Sequence, residues 1–333
     1  TLRRKIVYTQ NMNFLYFLFV LSVGFLVGNP AGRANVLDEG ILSRTDSLTV
    51  IQLPLPEVPG TLHTVPERAA YVLEHFWDAL DFSDTLYSRH CIFMEQNFVN
   101  FVSLFPHASR EARVVAVKRL MKAAEADSVV YSLLASLAEK YLYEPESPMV
   151  CEDCFLLFLE EIVCSSVWNG YTRMRSAYLL EIVKKNRPGT QAADFSFLLP
   201  DGRSHLLYQI PGRYLLLVFY DTGCDHCHEV MSALKEDILL RRLTEAGELT
   251  LLIVDTGLSY TAWQHVLPTW PPEWKTAFDK GGMQAHDRYV WRNLPALYLL
   301  DRDKTVLLKE ASVQSITTFL TSIWGSDAFP QDK

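Results

Sequence analysis

The chain has 333 residues, of which 49% are hydrophobic and 21% are charged. This composition supports packed cores and excludes an intrinsically disordered chain, and the length predicts about two domains. The formal net charge of -8 predicts an acidic surface, which argues against a nucleic-acid-binding function.

Residues 1–34 have the pattern of a secretory signal peptide. Basic residues at positions 3–5 precede an apolar run at 14–27, and the small residues Gly32 and Ala34 predict cleavage after Ala34. The run is shorter than the roughly 20 residues that span a bilayer; the alternative is an uncleaved anchor. We therefore expect a protein of the periplasm or cell envelope, with no stable membrane span after cleavage.

Residues 35–188 are predicted to form an all-α domain. Thr64-Val65-Pro66-Glu67 is a capping-box pattern, and apolar residues then recur at helical spacing. Similar amphipathic stretches follow at about residues 95–105, 109–124, 128–143, 151–164 and 171–185. Asn186-Arg187-Pro188-Gly189 contains two helix breakers, so we expect the domain boundary near residue 188.

Residues 189–333 alternate between strand-like and helix-like stretches. Apolar runs at 195–199 and 205–208 flank Asp201-Gly202, which is a hairpin turn signal. The order predicted next is strand 213–220, helix 226–245, strand 249–255, helices 259–266 and 284–292, strands 296–300 and 304–309, and helix 313–324. This order predicts an α/β domain with a mixed central sheet flanked by helices.

A dithiol motif, Cys224-Asp225-His226-Cys227, lies between the predicted strand 213–220 and the helix that follows it. Two sulfurs one helical turn apart suit disulfide exchange, because the first attacks a partner disulfide and the second resolves the mixed disulfide. The helix N-terminus favours the thiolate form of the first sulfur. The motif therefore predicts Cys224 as the attacking thiol and Cys227 as the resolving thiol.

Two more residues are predicted to act at this dithiol. Pro295 immediately precedes an apolar strand, and a cis peptide bond there would expose backbone groups to an incoming extended chain. A protonated His226 can donate to the Cys224 thiolate and make the couple more oxidising, whereas Asp225 acts in the opposite direction. The alternative is that His226 and Asp225 are solvated loop residues.

With these motifs, residues 193–325 resemble the thioredoxin-fold domains of the TlpA/ResA-like envelope oxidoreductases, with some similarity to the wider AhpC/TSA group. The resemblance implies a thioredoxin-like fold in which Cys224 attacks, Cys227 resolves and Pro295 is the cis-proline that faces them. Tyr220-Asp221-Thr222-Gly223 departs from the pattern, because many relatives have Trp just before the first Cys. We therefore expect substrate docking beside the dithiol to differ.

The first half of the chain resembles the helical domain of unknown function that precedes such modules in a group of bacterial envelope proteins. Residues 77–84, 143–148 and 186–195 carry this likeness. This resemblance implies no known chemical activity for the helical domain.

A second CxxC motif, Cys151-Glu152-Asp153-Cys154, begins a predicted helix that no strand precedes. We interpret it as structural thiols or a local disulfide, and the alternatives are a redox relay or a metal site. A zinc ribbon needs its two CxxC pairs about 15–20 residues apart, and the two motifs here are much farther apart, which argues against zinc.

The sequence leaves open the roles of several other aromatic and acidic residues. A group of aromatic residues is expected to pack under a long loop, with a substrate lip as the alternative: Trp263, Trp270, Trp274 and Phe278. Three acids are candidates for a buried proton acceptor, and the sequence does not choose among them: Asp194, Asp255 and Asp287.

The leading hypothesis is a secreted thiol-disulfide oxidoreductase that exchanges disulfides with protein partners in the cell envelope and requires no organic cofactor. One alternative is a non-enzymatic envelope binding protein with a thioredoxin-like scaffold, although the intact dithiol counts against it. The other is a thiol peroxidase. Peroxidatic sites of the AhpC/TSA group have Pro-x-x-x-Thr-x-x-Cys, whereas Thr222 lies two residues before Cys224 and no Pro precedes it.

Overall fold

The computed structural model describes residues 53–168, 170–279 and 287–324. The predicted signal segment at residues 1–34 lies outside the described residues. The chain divides into two compact units between Ser176 and Ala177, inside the helix Gly170–Val183. The boundary that the sequence places near residue 188 stays a prediction.

The first unit is helical. Its helices are α1 Val65–His75, α2 Thr85–Ser88, α3 Cys91–Ser103, α4 Arg110–Ala124, α5 Ser128–Leu142 and α6 Glu152–Cys164, and α7 Gly170–Val183 continues into the second unit. The predicted capping box is formed at α1, where Thr64 N–H donates to Glu67 Oε2 at 3.0 Å and Glu67 N–H donates to Thr64 Oγ1 at 3.4 Å. The all-α prediction for this part of the chain is confirmed.

Aromatic side chains fill the core of the first unit. Phe98 packs on Phe158 with 5.6 Å between the ring centroids, and Phe101 packs edge-on against Phe105 at 5.3 Å. These four rings are almost completely buried. Helix α4 packs against α1 and α6, and α5 also packs against α6. The helices therefore share one apolar interior.

The second unit is built on a mixed sheet. Its strands are β1 Ser196–Leu198, β2 Ser204–Leu206, β3 Tyr214–Tyr220, β4 Leu249–Asp255, β5 Lys275–Phe278, β6 Ala296–Asp301 and β7 Val306–Leu308. The order across the described sheet is β2-β1-β5-β4-β3-β6-β7. Strand β3 pairs in parallel with β4 and antiparallel with β6, and this confirms the predicted mixed sheet.

Side chains of β3 alternate between two apolar layers, because successive residues of a strand point to opposite faces. Leu217 and Phe219 face one layer, whereas Val218 and Tyr220 face the other. The helices that begin among the described residues of this unit are α8 Asp225–Glu236, α9 Ile238–Glu245, α10 Tyr260–Val266 and α11 Val313–Trp324. Since β6 runs antiparallel to β3, the end of β3 and the start of β6 meet at one edge, where Phe219 pairs with Ala296.

Two predicted helices differ from the structure. The helix predicted at 226–245 is divided into α8 and α9 at Asp237, whose side chain accepts from Leu240 N–H at 2.9 Å and caps α9. The helix predicted at 284–292 is wrong over its described part, because residues 287–292 form turns and irregular backbone. Strand β5 was not predicted.

Side-chain hydrogen bonds hold the backbone of residues 287 and 288. Lys185 Nζ donates to the carbonyl of Asp287 at 2.7 Å, and Asn186 Nδ2 donates to the carbonyl of Arg288 at 2.9 Å. Asp287 also has a φ of 47°, in the left-handed region that interrupts a right-handed helix. Tyr289 is fully buried, so tertiary packing determines this segment.

Candidate active site

The turn that carries Cys224 begins where β3 ends. Strand β3 lies between two neighbours, and its residues from Leu215 to Tyr220 are buried. In the turn, Asp221 Oδ1 accepts from Gly223 N–H at 2.7 Å, and the Asp221 carbonyl accepts from Cys224 N–H at 3.1 Å. These bonds fix the direction of the chain as it enters α8.

Cys224 is the N-cap of α8. Its Sγ accepts a hydrogen bond from the backbone N–H of Cys227 at 3.2 Å. The unpaired N–H groups and partial positive charge of a helix N-terminus stabilise an anion at this position. The structure therefore places the Cys224 sulfur at the positively polarised end of α8.

The two sulfurs differ in access to solvent. Both thiols are free; Cys224 is half-buried and Cys227 is completely buried. Burial raises the pKa of Cys227 to about 12, and the neighbouring Cys224 sulfur and Asp221 charge act in the same direction, although a hydrogen bond from the Asp221 backbone opposes them. Cys227 thus stays protonated and shielded from solvent until Cys224 has reacted.

Pro295 lies beside the dithiol at the start of β6. The Leu294–Pro295 peptide bond is cis, as the sequence predicted. The Leu294 carbonyl oxygen is 4.0 Å from Cys224 Sγ, within range of a weak hydrogen bond from the thiol. The structure therefore brings Cys224, Cys227 and the Leu294–Pro295 peptide together at one edge of the sheet.

His226 points away from this group. Its side chain is 66% exposed, and Nδ1 lies 3.3 Å from Glu229 Oε2, one turn farther along α8. The hydrogen bond of the ring in the structure is thus with Glu229 and not with Cys224. The influence of His226 on the thiolate stays a prediction.

Asp255 is a buried acid at this edge, and the sequence does not distinguish it from Asp194 and Asp287. It ends β4 opposite Tyr220 of β3 and is 1% exposed, whereas Asp194 and Asp287 are half-buried. Its carboxylate accepts from the Thr222 hydroxyl and from Gly257 N–H, the latter at 2.7 Å. Burial raises the pKa of Asp255 above its usual value, although these hydrogen bonds oppose the rise.

The aromatic residues after β4 pack as expected. Trp263, Trp274 and Phe278 are buried. Trp270 is half-buried; its ring meets Tyr220 edge-on at 5.6 Å, and Lys235 Nζ lies 4.4 Å from its centroid. The ring of Tyr220 therefore lies between the core and this loop.

The crystal structure of a thioredoxin-like protein from Bacteroides caccae is similar to this chain over both units. The two are 32% identical with a TM-score of 0.75, and the match covers 81% of this chain and 98% of the other. This chain belongs to the thioredoxin-like proteins. The predicted fold class, an α/β thioredoxin-like domain preceded by an all-α domain, is confirmed.

The helical half of this thioredoxin-like chain matches a family of its own. Residues 35–186 match the family described as a domain of unknown function, DUF5106, which confirms the second resemblance. No curated protein matches the chain. None of the comparisons singles out the TlpA/ResA branch.

Two partial matches to solved structures have low TM-scores. The C-terminal domain of an uncharacterized protein from Bacteroides fragilis is 34% identical, and the match covers 41% of this chain and 98% of the other with a TM-score of 0.39. The thioredoxin domain of a thiol-disulfide oxidoreductase from Bacteroides vulgatus is 18% identical, with coverages of 41% and 97% and a TM-score of 0.37.

Across residues 53–168, 170–279 and 287–324, the helices are too short or too polar to cross a bilayer.

Proposed function

We propose that this protein is a thiol-disulfide oxidoreductase of the cell envelope that exchanges disulfides with protein partners. The arrangement of Cys224 at the N-terminus of α8, with Cys227 buried behind it and the Leu294 carbonyl beside it, carries the proposal. A strand-to-helix dithiol with one accessible sulfur is the arrangement that disulfide exchange requires.

Reduction of a partner begins at Cys224. Its thiolate attacks one sulfur of the partner disulfide, the partner's S–S bond breaks, and the other partner sulfur leaves as a thiolate. The partner is then joined to Cys224 as a mixed disulfide. Backbone groups of the Leu294–Pro295 segment lie beside this sulfur and are available to hydrogen-bond an extended partner chain.

Resolution depends on Cys227. After losing its proton, its sulfur attacks Cys224 Sγ, the mixed disulfide breaks, and the second partner sulfur leaves. The partner gains two electrons and two protons, while Cys224 and Cys227 become a disulfide. Because burial raises the pKa of Cys227 to about 12, this step requires a proton acceptor.

Trapping of mixed disulfides tests the proposal. A Cys227→Ser variant of the full chain should accumulate envelope-protein adducts that dithiothreitol releases, because attack proceeds and resolution is blocked. Cys224→Ser is the matched control and should form none. If the Cys227→Ser variant also forms no thiol-labile adducts, the oxidoreductase proposal is wrong and the binding-protein alternative gains support.

A further inference from the structure

The second CxxC motif has the same local geometry as the first. Cys151 is the N-cap of α6, and its Sγ accepts a hydrogen bond from Cys154 N–H at 3.3 Å. Cys151 is half-buried and Cys154 is 3% exposed, as the first and second cysteines of the other motif are half-buried and buried. The two motifs differ in oxidation state, because Cys151 and Cys154 are joined in a disulfide.

A cation lies next to the inner sulfur of this disulfide. Arg113, in the first turn of α4, places Nη1 3.8 Å from Cys154 Sγ. Its Nε donates to the Ser109 carbonyl at 3.3 Å, which holds the guanidinium in place. A positive charge beside a sulfur stabilises its thiolate.

We propose that Cys151–Cys154 is a second redox-active disulfide, which an external thiol reduces by attacking Cys151. The more accessible sulfur is the one attacked, and Cys154 is then the leaving group that Arg113 stabilises. This site is separate from the Cys224–Cys227 dithiol, so its existence does not depend on the function proposed above.

The chemistry balances with two external thiols. The thiolate of the first bonds to Cys151 Sγ, the Cys151–Cys154 bond breaks, and its electron pair stays on Cys154. The second external thiolate attacks the external sulfur of the mixed disulfide and releases Cys151. Cys151 and Cys154 gain two electrons and two protons, and the two external thiols become one disulfide.

The charges near the inner sulfurs indicate the direction of exchange. Cys227 has the carboxylate of Asp221 as a neighbour, whereas Cys154 has the guanidinium of Arg113. Glu152 and Asp153 in the second motif oppose its thiolates, as Asp225 does in the first. Because a stabilised thiolate favours the reduced form, Arg113 makes the Cys151–Cys154 couple more oxidising than it would be without this charge, and its partners are thiols or dithiols of more negative potential.

Redox titration of the full chain tests the site. The variant used carries Cys91→Ser, Cys164→Ser, Cys224→Ser and Cys227→Ser, so that Cys151 and Cys154 are the remaining thiols. After equilibration in glutathione buffers, acid quenching and alkylation, mass spectrometry of the peptide should show a reversible transition while circular dichroism stays native. A disulfide that resists native reduction and opens only on unfolding would establish a structural link and overturn the proposal.

Two sets of variants in the same background test the roles of individual residues. Arg113→Gln should slow reduction by glutathione about tenfold, Arg113→Lys should restore it, and Arg110→Gln, an exposed cation of the same turn, should have no effect. Equal rates for all three would overturn the role of Arg113. With oxidised glutathione, Cys154→Ser should form an adduct on Cys151, whereas Cys151→Ser should leave Cys154 unmodified; the reverse pattern would overturn the assignment of Cys151 as the sulfur attacked.

Discussion

The backbone N–H of Cys227 donates a hydrogen bond to the sulfur of Cys224 across 3.2 Å. Cys224 lies at the N-terminus of α8, and Cys227 lies one turn inside the helix, where no solvent reaches its side chain. The same two residues are therefore chemically unequal. One can react with a protein partner, and the other can react only with the first.

Alkylation should reveal this inequality. At pH 7.5, iodoacetamide should modify Cys224 at least about 100-fold faster than Cys227, because burial raises the pKa of Cys227 to about 12 and only the thiolate reacts. Peptide mass spectrometry gives both rates. The exposed thiols of Cys91 and Cys164 are internal references. Faster labelling of Cys227 would reverse the assignment of attacking and resolving thiols.

His226→Ala should make the reduction potential of the dithiol more negative by about 20 mV. An exposed charge pair contributes up to about 1 kcal/mol, and 30 mV corresponds to about 1.4 kcal/mol for a two-electron couple. Glu229→Gln is a second variant for comparison. It frees the imidazole from its carboxylate partner and should make the reduction potential less negative. Glutathione titration measures both. Unchanged potentials would mean that His226 is a solvated residue.

Asp255→Asn should stabilise the fold at neutral pH, because it removes a carboxyl whose ionisation burial disfavours. Burial raises the pKa of Asp255 in the folded state, so the wild-type protein loses stability as pH rises from the unfolded-state pKa through the folded-state value. Asn does not titrate, so the difference between variant and wild type should be small at pH 4 and complete at pH 7.5. Urea unfolding at both pH values measures it; a difference that grows toward low pH would contradict the direction of the shift.

The position of Asp255 is a feature that could not be predicted from the sequence. The apolar runs of β3 and β4 predicted both strands well, because each is a continuous buried segment bounded by turn residues. Which acid reaches the dithiol edge depends on the parallel pairing that sets Asp255 opposite Tyr220. That pairing is a long-range feature, and three acids fitted the sequence equally well.

Short elements and tertiary hydrogen bonds account for the remaining differences. Strand β5 has only four residues and follows a Trp- and Pro-rich loop, so the sequence there shows no strand-like alternation of apolar and polar residues. The apolar period continues through Asp237, which hides the break between α8 and α9. The cis peptide at Pro295 was predicted because its position before a strand has a local sequence signal. The contact of His226 with Glu229 depends on side-chain conformation, for which the sequence has no local signal.

The ion pair between Arg292 and Glu310 is expected to support the Pro295 loop. Its atoms Nε and Oε2 are 2.8 Å apart, and the side chains are only 14% and 9% exposed. Glu310→Gln should lower the free energy of unfolding, because it removes the carboxylate charge that faces the nearly buried Arg292 guanidinium. Chemical denaturation measures this loss. The double variant Arg292→Met with Glu310→Leu should recover most of it, and a double variant as unstable as the single one would contradict this explanation.

The Cys151→Ser/Cys154→Ser double variant should reduce insulin at close to the wild-type rate when dithiothreitol is the electron donor. The insulin reaction uses Cys224 and Cys227, and dithiothreitol can regenerate that dithiol directly. Cys224→Ser is the inactive control, and circular dichroism checks that each variant is folded. Activity of the double variant that falls to the level of this control would mean that electrons reach Cys224–Cys227 through Cys151–Cys154, which would make the second couple an obligatory relay.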